Sequence, residues 1–200
     1  MELSSDLQRT KTAIDMNSNA YTITPQEKQF AIDHLNRTGK AFINAIAGMS
    51  EKQWYLRPGQ GEWSAAECAQ HLLETELYYF MPTVEKMLSE AAAPERMAEA
   101  AGKDQAVIDS MEIRNQKIKG QPWEESPDKV IDKAALSAAF EAKRAENIRW
   151  LENSDGNFRA NFIEFPGMGA LDVYQFILFI SAHTTRHTGQ IQDIPVLQMA

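Results

Sequence analysis

The run Val173-Tyr174-Gln175-Phe176-Ile177-Leu178-Phe179-Ile180-Ser181-Ala182 constrains this chain more than any other stretch. It is too apolar to lie on a surface, so it reads as a buried helix around which other elements must pack. It covers only about half of the roughly 20 residues that a membrane-spanning helix needs, so its burial has to come from protein. Directly after it stands His183-Thr184-Thr185-Arg186-His187-Thr188-Gly189-Gln190. Histidines four apart on a helix sit one turn above each other, with Cβ atoms roughly 5–6 Å apart. They can share one metal ion if a third ligand arrives from another element. Two of the chain's four histidines are here, at the end of a core helix.

The partners of that helix are legible from their start signals. Thr24-Pro25-Gln26-Glu27 combines a capping Thr, a proline at the first helical position and a Glu three residues on. A helix follows to about Gly48, with Phe30, Ile32, Leu35, Phe42, Ile43 and Ile46 apolar and Gly39 as a small contact. His34 on this helix reads as a surface or boundary residue. The loop Trp54–Glu62, rich in Pro and Gly, breaks the pattern. Ser64 and Glu67 then form a second capping box, flanked by Trp63 and Cys68 at the hydrophobic-staple positions. This second helix carries Leu72, Leu73, Leu77, Phe80, Met81, Val84 and Leu88, with a bend expected at Pro82. Residues 89–128 are irregular, with a short helix over Ala106–Ile118 whose apolar side is Val107, Ile108, Met111 and Ile118. They read as a crossover covering one end of a bundle. Asp132–Asn153 is the third helix, with a stripe through Leu136, Ala139, Phe140, Lys143, Asn147, Trp150 and Leu151. Phe158–Phe165 reads as an extended arm ending at Pro166-Gly167, and the fourth helix as about Ala170–Ile191. The fold class is all-α: a four-helix bundle with long crossover connections instead of short turns, hence not simply up-down-up-down. Residues 1–22 read as a loose N-terminal arm and 23–194 as a single domain.

Composition removes several function classes. A net charge of −8 with scattered Lys and Arg argues against nucleic-acid binding. No stretch looks like a signal peptide or a membrane span, which fits a cytoplasmic protein. One cysteine, Cys68, excludes an internal disulfide and a Cys-rich zinc site, so any metal must rely on His, Asp or Glu. Cys68 itself reads as a small buried hydrophobe.

His71 lies two turns into the second helix, beside the core-facing Leu72 and Leu73. Bundles build metal sites from such inward side chains on facing helices. The pattern Trp63-Ser64-x-x-Glu67-x-x-x-His71-Leu72, followed over a hundred residues later by His183-x-x-x-His187-x-x-Gln190, resembles the DinB-like family. That is a metal-binding four-helix-bundle superfamily which includes bacillithiol S-transferases and mycothiol-dependent maleylpyruvate isomerases. The resemblance, over roughly Thr24 to Ile191, implies a divalent metal held by His71, His183 and His187. Three neutral imidazoles suit zinc, nickel or iron and leave positions open for water or substrate. The expected function is activation of a thiol or water against a small-molecule electrophile, in a thiol S-transferase or hydrolase. The alternative is a metal-binding or stress-response protein without turnover. A low-molecular-weight thiol cofactor and a homodimer are further expectations from the resemblance. Glu67, Glu74, Asp172 and Gln190 are the candidates to accept the second ring N–H of each histidine. Arg186 reads as part of a solvated face, and Trp54, Trp63 and Tyr78 as packing.

Overall fold

The computed structural model describes residues 21–113 and 132–194. The first twenty residues of the expected N-terminal arm lie outside it, as do Ile118 and the punctuating Gly120, Pro122 and Pro127. Helix α1 (Pro25–Ala47) is followed by a single turn, α2 (Glu51–Trp54). Next come α3 (Ala65–Glu74), a π-helical stretch (Thr75–Phe80) and α4 (Met81–Ser89), which together form one continuous rod. After a 3₁₀ turn come α5 (Met97–Ala100) and α6 (Asp104–Glu112). Helix α7 (Lys133–Asn153), strands β1 (Phe162–Phe165) and β2 (Gly169–Asp172), and α8 (Val173–Gln192) are the remaining elements among the described residues. Each long helix begins with a side chain that accepts from its otherwise orphaned backbone N–H groups: Thr24, Ser64, Asp132 and Asp172.

The elements differ from the sequence expectations at two points. Residues 170–172 belong to β2 and not to the last helix, because β2 pairs antiparallel with β1, Phe162 opposite Asp172 and Phe165 opposite Gly169. The turn between them needs left-handed backbone at Gly167 (φ 80°) and Gly169 (φ 73°), which only glycine adopts without strain. The short helix expected in the crossover is present as α6, which starts at Asp104 and lays Val107, Ile108 and Met111 into the core as expected. The irregularity expected at Pro82 falls one turn earlier, in the π stretch. Pro82 cannot donate to the Tyr78 carbonyl and its ring would crowd it, and a widened turn ending at Phe80 relieves this. The wide turn also keeps Leu72, Glu76, Phe80 and Val84 buried together. Steps of four residues in a regular helix would drift by about 40° each.

Two apolar clusters fill the bundle. One gathers Leu35, Phe80, Val84, Ile148, Leu151, Phe176 and Ile180; the other gathers Phe42, Ile46, Leu72, Leu73, Leu136, Phe140 and Ile191. Helices α1 and α8 pass from the first cluster to the second along the chain. The α3–α4 rod and α7 pass the other way. The order is therefore up-down-down-up, and the long crossover after α4 is what returns the chain to start α7 parallel to the rod.

Between the clusters each of the four helices contributes a polar residue: Thr38 and His34 from α1, Glu76, Arg144 with Asn147, and Ser181 with Thr184. All are buried. Arg144 donates to Glu76 Oε1 through Nη2 at 2.6 Å and through Nε at 3.0 Å. It also donates to the Leu35 carbonyl at 2.8 Å and to Thr184 Oγ1 at 2.9 Å, while Asn147 Nδ2 donates to Glu76 Oε2 at 2.7 Å. The α7 stripe thus runs through Arg144 and not through the expected Lys143. A charged side chain is not expected in a core until its partner is known.

His34 is buried and not at the surface: its Nδ1 lies 2.6 Å from Ser181 Oγ. Burial, with the charges of Arg37 and Arg144, pushes its pKa down to about 4. The stability consequence follows in sign. Below the unfolded-state value of about 6.5 the unfolded chain takes up a proton that folded His34 refuses, so stability falls on acidification and levels off near pH 4. The slope contributed is at most about 1.4 kcal/mol per pH unit. Urea midpoints of metal-free protein at pH 7 and pH 5 should therefore drop less in His34→Gln than in the parent. Equal drops would remove the assignment.

Candidate metal centre

The two helix starts aim the histidines. At α3, Ser64 Oγ accepts from the Glu67 N–H at 3.2 Å, and Glu67 Oε2 accepts from the Ser64 N–H at 2.8 Å. Arg57 clasps the same carboxylate from the preceding loop, its Nε 3.0 Å from Oε2 and a second donor on Oε1. This fixes where α3 begins, and His71 falls two turns in. At α8, Asp172 Oδ1 accepts from the Gln175 N–H at 2.7 Å while Asp172 also accepts from Arg159 at 2.9 Å. His183 lies three turns further on and His187 four.

The three imidazoles meet through their Nε2 atoms. His183 Nε2 lies 3.2 Å from His71 Nε2 and 3.0 Å from His187 Nε2, and all three residues are buried. One ligand atom from each falls within 4.8 Å of the others, and this is the group of three such residues found among the described residues. Trp63 stacks on the His187 ring (centroids 6.0 Å, 14° between planes) and meets His71 edge-on at 5.2 Å. Phe179, one turn before His183, stacks on that ring at 6.0 Å. The site therefore has aromatic walls. Trp63 does pack as expected, but what it packs on is the histidines.

The donor set fits a divalent ion. Two nitrogens held 2.0–2.1 Å from one ion are about 2.9 Å apart at a right angle and about 3.3 Å apart at the tetrahedral angle, and the observed 3.0 and 3.2 Å fall in that interval. Protons can satisfy such nitrogens only pairwise, whereas a cation meets all three lone pairs at once. Burial pushes the pKa of His71 down to about 4. Burial, reinforced by His187, His71, Arg186 and Arg144, lowers that of His183 well below the usual histidine value. Both rings are therefore neutral near pH 7, the form that donates to a metal.

The surroundings differ from the sequence reading in particulars. None of the four expected acceptors serves His183, whose Nδ1 is buried with no hydrogen-bond partner among the described residues. Glu67 is taken by the helix start and Arg57, Glu74 accepts from Gln70 at 2.8 Å, and Asp172 caps α8. Gln190 Oε1 lies 3.8 Å from Cys68 Sγ, and Cys68 is buried in the second apolar cluster. Arg186 is buried and not on a solvated face. Its Nη1 donates to the carbonyls of Met111 at 3.4 Å and Ile113 at 3.2 Å, joining α8 to the end of α6. Tyr78 is 73 % exposed and stands outside both apolar clusters, while Trp54 is buried as expected. Phe179 belongs by its spacing to the core-facing side that His183 and His187 share, and its stacking on the His183 ring is what the structure adds.

No helix among the described residues is long and apolar enough to cross a membrane. A family model described as the DinB superfamily matches residues 34–191. Among solved structures the chain is similar to YfiT from Bacillus subtilis, described as "a probable metal-dependent hydrolase with an unusual four-helix bundle topology". The TM-score is 0.60 at 17 % identity, over 86 % of this chain and 87 % of that one. Among curated proteins nothing matches.

Proposed function

The chain belongs to the DinB superfamily, and from that membership we propose that His71, His183 and His187 ligate a divalent metal in an enzyme acting on a small-molecule electrophile. The observation that carries this reading is the convergence of three buried Nε2 atoms, supplied by two helices, at separations that suit one ion. Zinc, nickel and iron all accept three imidazoles while leaving a position open. When bound, such an ion supplies Lewis acidity, which activates water or a thiol and polarises a substrate carbonyl. The chain's own residues do the rest. The histidines enter in their neutral form, Trp63 and Phe179 hold the ring planes and limit water at the ligands, and the Arg57–Glu67–Ser64 clasp keeps His71 at its depth.

Hydrolysis is the first reaction class, and transfer of a low-molecular-weight thiol the second. Support for hydrolysis comes from the likeness to YfiT, itself described as a probable metal-dependent hydrolase. A role in metal binding without turnover is favoured by one specific observation, that the three histidines are only 6–8 % exposed.

Untagged protein from metal-replete medium should contain about one divalent ion per chain by elemental analysis. The loaded protein should turn over members of a panel of esters, amides and thiol-plus-electrophile pairs, and a chelator should stop it with readdition restoring it. Metal content near zero would sink the site. Full metal content without turnover across the panel would leave the binding role and remove the enzymatic one.

A further inference from the structure

Arg144 touches both of the helices that carry the three histidines, and it does so within about one turn of a ligand on each. On the α3–α4 rod it grips Glu76, five residues beyond His71, through two donors at 2.6 and 3.0 Å. On α8 it donates at 2.9 Å to Thr184, the neighbour of His183. Its remaining fork reaches α1 at the Leu35 carbonyl, 2.8 Å away, and Thr38 Oγ1 at 3.3 Å. Asn147, one turn along α7, holds the other Glu76 oxygen at 2.7 Å, and Thr75 Oγ1 donates to the His71 carbonyl at 2.9 Å.

We propose that Arg144, with Glu76 and Thr184, is the positioning group of the metal centre, setting the separation and rotation of the two ligand-bearing helices at the level of the histidines. The inference rests on the three-histidine reading above and adds to it the residues that hold the triangle in register. A guanidinium suits the task because its donors lie in a rigid planar fork, so the distance between Glu76 and Thr184 is fixed by covalent geometry. The tolerance is tight. Metal–ligand distances are held to about ±0.2 Å, so a sub-ångström slide of α8 against the rod is felt at the ligands. Packing alone does not demand an ion pair here, because well-packed apolar residues commonly replace a buried pair without loss of stability.

That last point separates positioning from folding in a direct test. Metal-free parent, the double variant Glu76→Met/Arg144→Met, Thr184→Val and Thr184→Ser would be titrated with cobalt(II), reading both affinity and the visible d–d spectrum. The double variant, shown folded by its urea midpoint, should bind cobalt about tenfold more weakly, the lower end of what outer groups contribute to metal affinity, with an altered band. Thr184→Val should shift both readouts in the same direction, and Thr184→Ser, which keeps the hydroxyl, should restore them. Parental affinity and spectrum in both the double variant and Thr184→Val would overturn the proposal while leaving the three-histidine site intact. A parent that binds no cobalt would instead sink the site itself, and the positioning role with it. If the double variant fails to fold, the Thr184 pair decides alone.

Discussion

His183→Ala should abolish the stabilisation of this protein by divalent metal, while leaving the metal-free fold close to its original stability. His183 is the proposed ligand whose Nε2 stands near both of the others, at 3.2 and 3.0 Å, so its loss takes away the central nitrogen and leaves two imidazoles to hold an ion. Structural zinc in four-ligand sites binds with about 10–16 kcal/mol, or roughly 3 kcal/mol per ligand, so deleting one ligand should weaken binding on the order of 100-fold. A ligand present at 100 times its dissociation constant stabilises the folded state by about 2.7 kcal/mol, and a 100-fold weaker variant at the same concentration retains only a few tenths. The metal-free comparison runs differently. Truncation removes hydrocarbon contacts with Phe179 but also removes a buried Nδ1 without a hydrogen-bond partner and a ring crowded by two other imidazoles. Those effects oppose each other, so the apo melting temperature should move little. Calorimetric melting with and without zinc checks both halves, with His34→Ala as the control. That variant also truncates a buried histidine, but one that hydrogen-bonds to Ser181, and it should keep the full zinc shift. A zinc-induced rise in melting temperature that survives in His183→Ala would remove this residue from the ligand set.

Much of the architecture was readable because its determinants are local. Capping boxes at Thr24 and Ser64 specify helix starts within a few residues of sequence, and both stand where expected. His183 and His187, paired by their spacing, and His71, added by the resemblance to the DinB-like family, do come together. What stayed hidden depends on partners far along the chain. Arg144 and Glu76 are 68 residues apart, and each alone reads as solvated. Arg186 looked like a surface cation because its acceptors are backbone carbonyls at the end of α6, which no sequence pattern displays. His34 looked like a boundary residue because its partner, Ser181, lies on the last helix. The π stretch over Thr75–Phe80 is marked in the sequence only by the nearby Pro82. Local signals therefore located the helices and the imidazoles, and long-range pairing decided the polar layer behind them.

That layer carries the second large effect. Arg144→Met should destabilise the protein by about 3–5 kcal/mol, the usual cost of leaving one half of a buried ion pair behind. The Glu76 side chain is only 2 % exposed, and with Arg144 gone its carboxylate keeps Asn147 Nδ2 alone among the partners seen here. The Leu35 carbonyl and Thr184 lose a donor as well, although Thr184 retains its bond to the Ile180 carbonyl at 3.2 Å. Glu76→Met should cost a similar amount, because it leaves a guanidinium in the same water-free layer. The double variant should cost far less than the sum, since no charge is then stranded and two methionines fill irregular space well. Urea denaturation of the four proteins closes a double-mutant cycle, and the expected coupling is several kcal/mol with unchanged denaturant slopes. Additive single effects would mean that the two side chains do not stabilise each other and that the layer owes its order to packing. A large coupling with a stable double variant would mean that the pair contributes little net stability, so its purpose must be sought in how it aligns the helices. A guanidinium bonded at once to α1, the α3–α4 rod and α8 allows only one register, the one in which three imidazoles meet.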